Sequence, residues 1–161
     1  MNNIIICETI TGDSVEIQKD KLIFRPAAYG LVINENNKVL LVNTKSSGKW
    51  FFPGGALEIG EKSIESLKRE LYEETGSKVS NIELLLNKET FFYYKPLNKA
   101  YHTINLVYLA KLESQDIDFV NPDSEDEADG FSWIDIYNLK PEDMQSFAWE
   151  VISLTKEKMS S

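Results

Sequence analysis

Gly54-Gly55-Ala56-Leu57-Glu58-Ile59-Gly60-Glu61-Lys62-Ser63-Ile64-Glu65-Ser66-Leu67-Lys68-Arg69-Glu70-Leu71-Tyr72-Glu73-Glu74-Thr75-Gly76 is a glycine-rich loop running into a helix. Pro53 and the paired glycines punctuate its start. Ser63 is the expected N-cap. Ser66, rather than a glutamate, stands three residues later, so no capping box is expected. Gly76 is the expected C′ stop. Glu70, Glu73 and Glu74 share one face, because residues three and four apart are neighbours on a helix. Ile64, Leu67 and Leu71 form the adjacent apolar stripe that docks the helix on a core.

The position of those acids is informative. They crowd the last two turns, where the helix dipole disfavours negative charge. Each like-charged i,i+4 pair costs a further ~0.2–0.5 kcal/mol. Selection for helix stability alone places Lys or Arg there. A divalent cation turns the penalty into attraction, and all-oxygen ligation suits a hard ion such as Mg²⁺, which also takes water and phosphate oxygens. The plain alternative is a solvated acidic face.

The full spacing is Gly55, five residues, Glu61, seven residues, then Arg69-Glu70-Leu71-x-Glu73-Glu74-x-Gly76. It resembles the signature of the Nudix hydrolase superfamily, MutT-like pyrophosphohydrolases included. Pro53-Gly54 and Glu58 resemble the family's usual lead-in. Ser77 departs from the aliphatic residue usual after the last glycine, and an aliphatic residue returns at Val79. The resemblance implies an α/β/α sandwich with a central mixed β-sheet, in which residues 54–76 form a loop–helix–loop. It implies hydrolysis of a nucleoside diphosphate linked to another group X, with Mg²⁺, or Mn²⁺, as cofactor. Carried over residue by residue, Glu73 and Glu74 are metal ligands and the Gly54 carbonyl is a backbone ligand. Glu70 is a ligand or the general base, and Arg69 orients Glu70 or Glu73. Gly55 is placed with the substrate-binding residues. Glu61 matches the signature and fixes the loop against the helix. A glutamate shortly before a Trp-containing strand supplies a further ligand or the base; Glu127, six residues before Trp133, is the first candidate and Glu125 the second.

Composition narrows the partners. The chain has 161 residues, 42% of them apolar, enough for one domain with a real core. A net charge of −9 argues against a nucleic-acid polymer, which needs a basic stripe, but not against one small nucleotide held through metal ions. The lone Cys7 forms no internal disulfide, and no apolar run reaches membrane-spanning length; both point to a cytoplasmic protein.

In chain order, Ile4–Cys7 and Val15–Ile17 flank Thr11-Gly12-Asp13-Ser14 as a hairpin. Residues 1–21 are expected as an extension of the domain, and this hairpin is the candidate for meeting a second subunit in a homodimer. Residues 22–33 form a central strand buried on both faces, and Val39–Val42 returns from the Asn34–Asn37 turn as its hairpin partner. Arg25 reaches a substrate phosphate or pairs with an acid. Trp50 shapes the pocket wall or packs in the core with Phe51 and Phe52. Residues 82–86 and 89–94 are strand, and residues 101–112 pair back on them after a turn at 95–98. Phe91 and Tyr93 share one face, Phe92 and Tyr94 the other, and either pair could stack on a base. Asp116–Asp129 is an acidic loop before the strand Phe131–Asp135. A last helix follows Pro141, with Met144, Phe147, Ala148, Val151, Ile152 and Thr155 at helical spacing, and covers the sheet face opposite the first helix. His102 is read as a packing residue. Ser63 and Ser66 lack a neighbouring base, and Cys7 lacks an activating partner.

Two other functions compete with nucleotide hydrolysis: a binding module that kept the fold without turnover, and an isoprenoid diphosphate isomerase of the same superfamily. The intact Arg69-Glu70-x-x-Glu73-Glu74 speaks against the first, and the poor placement of Cys7 against the second. Within hydrolysis, nucleoside triphosphates, oxidised ones included, are the first expectation. ADP-ribose and other sugar nucleotides are the second.

Overall fold

The computed structural model describes residues 2–44, 47–114 and 128–161. The hairpin forms as β1 (Ile4–Glu8) and β2 (Ser14–Gln18). Next come β3 (Leu22–Val32), β4 (Lys38–Thr44), β5 (Trp50–Phe51) and β6 (Gly54–Ala56). Helix α1 spans Ser63–Thr75. Strands β7 (Val79–Tyr94), β8 (Lys99–Leu112) and β9 (Ala128–Asp135) precede helix α2 (Ser146–Met159).

The larger sheet has the order β2-β1-β7-β8-β3-β6. It is mixed: β3 pairs parallel with β8, whereas β7–β8 and β3–β6 are antiparallel. Residues 79–94 are one strand rather than the two expected, because bulges between Ser80 and Glu83 and between Leu84 and Leu86 absorb the irregular pattern without breaking the pairing with β8. A second correction concerns β4. Its pairing with the preceding strand is a single bridge, Ile33 to Val39. It then leaves to form a three-stranded sheet in the order β5-β4-β9. The turn chemistry is that of a hairpin, but Phe131–Asp135 is the partner that β4 takes.

β3 is buried on both faces from Ala27 to Val32, as its unbroken run of small and apolar residues requires. Ala27, Tyr29 and Leu31 join Val39, Leu41, Phe52 and Val107 under Ala148, Val151 and Ile152 of α2. Ala28 and Val32 join Leu40, Tyr108 and Ala110 under Leu67 and Leu71 of α1. The helices therefore cover opposite faces, giving the α/β/α arrangement. The α1 stripe differs from expectation at one position. Ile64 is exposed, and Ser66 and Thr75 are buried beside Leu67 and Leu71. Among the described residues no helix is long and apolar enough to cross a membrane.

Candidate active site

The helix carrying the acids starts one residue earlier than its serine suggests. Lys62 is the N-cap in extended conformation, and Glu65 at N3 accepts its backbone N–H at 3.0 Å. The capping glutamate is therefore present once the frame moves back by one. Ser63, released from capping, makes a 2.6 Å hydrogen bond to the Tyr108 hydroxyl on β8. At the other end Gly76 takes φ +72° and its N–H donates to the Tyr72 carbonyl, the left-handed stop that glycine adopts without strain.

Arg69 is the hub of the acidic face. Its Nε and Nη2 donate to the two oxygens of Glu61 at 2.7 and 3.0 Å, a forked pair that ties the loop to the helix. Its Nη1 donates to Glu70 Oε1 at 3.0 Å and to Glu73 Oε2 at 3.3 Å. Glu58 lies 3.9 Å away. The hydrogen bonds from Arg69 hold the Glu61 carboxyl down at about 2, and those same bonds raise the guanidinium above its ordinary value. One arginine thus fixes the directions of Glu70 and Glu73 while leaving most of the negative charge unneutralised.

Strand β6 carries the paired glycines against β3, with Gly54 opposite Tyr29 and Gly55 opposite Ala28. The Gly30 N–H to Pro53 carbonyl bond (2.9 Å) and the Leu57 N–H to Pro26 carbonyl bond (3.0 Å) extend that ladder at both ends. Gly54 has φ +135°, and a Cβ there would lie 2.2 Å from the Ala28 carbonyl oxygen. At Gly55 a Cβ would lie 3.0 Å from Glu70 Oε1. The second glycine therefore leaves the cradle that the Glu70 carboxylate fills.

Those observations decide whether a hard divalent cation fits. The donors are all oxygen. Glu70, Glu73 and Glu74 stand on the last two turns of α1, and Glu70 lies against the bare backbone of Gly55. One carboxylate oxygen of Glu74 is buried. Among the described residues no three His, Cys, Asp or Glu side chains converge closely enough to cage an ion by themselves. The set fits an ion that takes few protein carboxylates and fills its other positions with water and phosphate.

A cleft of about 490 Å³ opens on the α2 side of the larger sheet. Arg25 lines it. Its Nη1 donates to the Tyr29 hydroxyl at 3.3 Å, and its guanidinium lies 5.8 Å from the centre of the Tyr101 ring. Tyr29 foremost, then Tyr101 and Glu70, raises the Arg25 pKa against the opposing effect of burial. Arg25 thus senses both the cleft and the carboxylates of α1. Trp50 does not line this cleft; it packs against the apolar cluster under α2, while Phe51 forms the wall, its ring edge-on to Tyr29 at 4.9 Å. Phe91 and Phe92 both line the cleft. His102 packs between Phe24 and Phe91. Glu125 and Glu127 lie outside the described residues.

Sequence reasoning missed two contributors to the cleft. The hairpin tip supplies Glu8, Thr9 and Ile10, with Glu8 accepting a hydrogen bond from Ser146 at the start of α2. No signal short of the β1–β7 pairing places that tip there. Asn105 also lines the cleft while only 4% exposed. Its signal was present: a lone amide between Ile104 and Leu106 in an otherwise apolar strand interior.

Known proteins share this chain's sequence in part and its fold. The chain is 31% identical over 75 residues to an RNA pyrophosphohydrolase of Francisella philomiragia subsp. philomiragia, a match covering 47% of this chain and 48% of that relative. The chain thus spans about half the length of that curated relative. With an RNA pyrophosphohydrolase of Francisella tularensis subsp. mediasiatica the identity is 24% over 125 residues, covering 71% of this chain and 80% of the relative. The crystal structure of a MutT NUDIX hydrolase from Burkholderia pseudomallei superposes with a TM-score of 0.65 at 22% identity, over 81% of this chain and 97% of that one. The NUDIX domain family model matches residues 23–155, which take in the glycine loop, the acidic helix and both layers around the sheet. The chain therefore belongs to the NUDIX domain family.

Proposed function

We propose that this protein is a metal-dependent pyrophosphohydrolase acting on a nucleoside diphosphate linked to another group, with nucleoside triphosphates, oxidised ones included, as the first substrate class. The observation that carries the reading is Arg69 binding Glu61, Glu70 and Glu73 at once, beside a loop bare of side chains at Gly55. A binding module has no use for so much aligned negative charge at a helix C-terminus, where it opposes the dipole.

Glu70, Glu73 and Glu74, with the Gly54 carbonyl, are the residues that would hold Mg²⁺ or Mn²⁺. When bound, such an ion neutralises phosphate charge and acidifies a water. Glu70 would either complete that ligand set or serve as the base that takes that water's proton. Arg69 holds Glu70 at 3.0 Å and the missing Cβ of Gly55 leaves its carboxylate room against the loop, so the group is placed before substrate arrives. Arg69 also aims Glu73, and its bond to Glu61 keeps loop and helix in one piece. Arg25, between the cleft and Glu70, is suited to a substrate phosphate. Glu127, or Glu125, is assigned a supporting part as a further ligand or base.

The name of the Francisella relative favours one second reading, a triphosphate at an RNA 5′ end. The net charge of −9 weighs against a polymer. The test is a panel of nucleoside triphosphates, 8-oxo-dGTP, ADP-ribose, UDP-sugars and a 5′-triphosphorylated oligonucleotide, with Mg²⁺ or Mn²⁺. Phosphate release is read with and without added pyrophosphatase or phosphatase. Hydrolysis of a mononucleotide well above the oligonucleotide is expected. No turnover on any member would leave the binding module as the better account.

A further inference from the structure

The Asn105 side chain is buried among groups that use only half of it. The two hydrogens of its Nδ2 are shared among the Lys88 carbonyl at 3.1 Å, Thr90 Oγ1 at 3.0 Å and Thr103 Oγ1 at 3.1 Å. The Lys88 carbonyl can only accept, which fixes the amide with its nitrogen on that side. Thr90 and Thr103 are hydrogen-bonded to each other as well, so the platform beneath the amide is locked. Asn105 Oδ1 accepts no hydrogen bond from the described residues, and it is not among the polar atoms sealed from solvent. Asn105 is only 4% exposed and lines the cleft, so the unpartnered Oδ1 is the part of the amide available to a ligand there.

Strand register places what surrounds it. Asn105 is opposite Ala27 on β3, and Thr103 is opposite Arg25. Arg25, Ala27 and Tyr29 alternate onto the same face, so the arginine reaching from position 25 to the Tyr29 hydroxyl passes over the small Ala27 side chain. Two residues from Thr103, Tyr101 is paired with Phe92, and both rings line the cleft. A fixed acceptor thus sits within a walled slot of aromatic rings, next to the arginine that leads back to Glu70.

We infer that Asn105 is a specificity-determining residue. Its amide oxygen accepts a hydrogen bond from an N–H on the edge of a nucleobase seated in the aromatic cleft. The inference rests on the proposed hydrolysis of nucleotides and adds what the base must offer. Aromatic stacking tolerates any base, because every base has a π-face. A fixed acceptor adds a condition, because the base edge that faces it must present an N–H or leave it unpaired. The ligand class is a nucleotide whose base carries a ring imide or exocyclic amino hydrogen, and alkylation of that nitrogen is rejected.

The test uses matched pairs on the wild-type chain: inosine and N1-methylinosine triphosphates, and adenosine and N6,N6-dimethyladenosine triphosphates. We expect kcat/KM to fall at least about fivefold on methylation in at least one pair, the size of one lost hydrogen bond to a neutral acceptor. The same pairs are compared in Asn105→Ala. There the ratio is expected to collapse toward one, whatever the variant's overall activity, which separates reading the base from supporting the fold. Calorimetric binding of each nucleotide is measured in parallel, so the comparison does not depend on turnover. Hydrolysis or binding that ignores methylation in both pairs overturns the role of Asn105 while leaving pyrophosphate hydrolysis standing. Discrimination that survives in Asn105→Ala overturns it too. Binding with full discrimination but no hydrolysis of any nucleotide supports the base reading and removes the catalytic one.

Discussion

At the scale of single residues, Arg69 explains why the acids stand where a helix least wants them. Without it, Glu70 and Glu73 would repel one another toward the negative end of the helix dipole, and Glu61 of the preceding loop would lose its partner. With it, each accepts a hydrogen bond from one guanidinium. Substituting Glu73→Gln keeps the shape and removes a charge. We expect turnover to fall at least about 100-fold with thermal stability unchanged or raised, because the lost group acts on the charge developed in the transition state. Steady-state rates at saturating Mg²⁺ check this, and a near-normal value would remove Glu73 from the site. Glu61 gives a second prediction. Its carboxyl is held at about 2, well below the ordinary 4.5. A depressed carboxyl stabilises the fold fully above its unfolded value and loses that contribution as pH falls through the folded one. The loop-to-helix tie is therefore expected to weaken between about pH 4.5 and 2. Melting curves across that window should show wild type losing stability more steeply than Glu61→Gln. Parallel slopes would mean that the pair contributes nothing.

At the scale of elements, the acidic helix and its glycine loop were legible because their chemistry is local. Carboxylates at i, i+3 and i+4 need only helical periodicity to share a face. Legibility failed where a distant partner decides. Ser63 looks like a cap, yet the Tyr108 hydroxyl, 45 positions away, claims its side chain and Lys62 takes the N-cap. β4 carries a hairpin turn before it, but it pairs with β9 from Lys38 to Thr44 and keeps a single bridge back to Ile33. Trp50 and Phe51 are adjacent with similar character and both pack against the core, and only the folded arrangement shows that Phe51 also lines the cleft. The paired glycines supply the prediction here. Gly54→Ala forces a Cβ against the Ala28 carbonyl at a φ that side chains avoid, so we expect a loss above about 2 kcal/mol. Gly55→Ala meets only the tip of Glu70. We expect stability to change by less than about 1 kcal/mol while kcat falls at least about 10-fold, because the proposed role of Glu70 depends on its carboxylate staying in place. Denaturant titration and kinetics on the two variants separate the effects, and equal behaviour would contradict the assignment of Gly55 to the Glu70 cradle.

At the scale of the whole molecule, the hairpin lies outside the matched family region yet walls one end of the cleft. Cys7 on β1 is fully buried, and burial pushes its thiol above the ordinary value. If the hairpin is held as firmly as the core, a disulfide reagent at pH 8 should label native protein at least about 100-fold more slowly than unfolded chain. Fast labelling without loss of activity would show β1 and β2 opening independently of the domain.

The parallel pairing of β3 with β8 joins residues roughly 80 positions apart along the chain. On a ribosome the apolar run from Ala27 to Val32 emerges long before its neighbour has been synthesised. The centre of this molecule is thus among the last parts a growing chain can complete. A nascent polypeptide halted short of Leu112 would present that run to chaperones or to other unfinished chains, which makes translation pace, as much as the finished fold's stability, a determinant of yield.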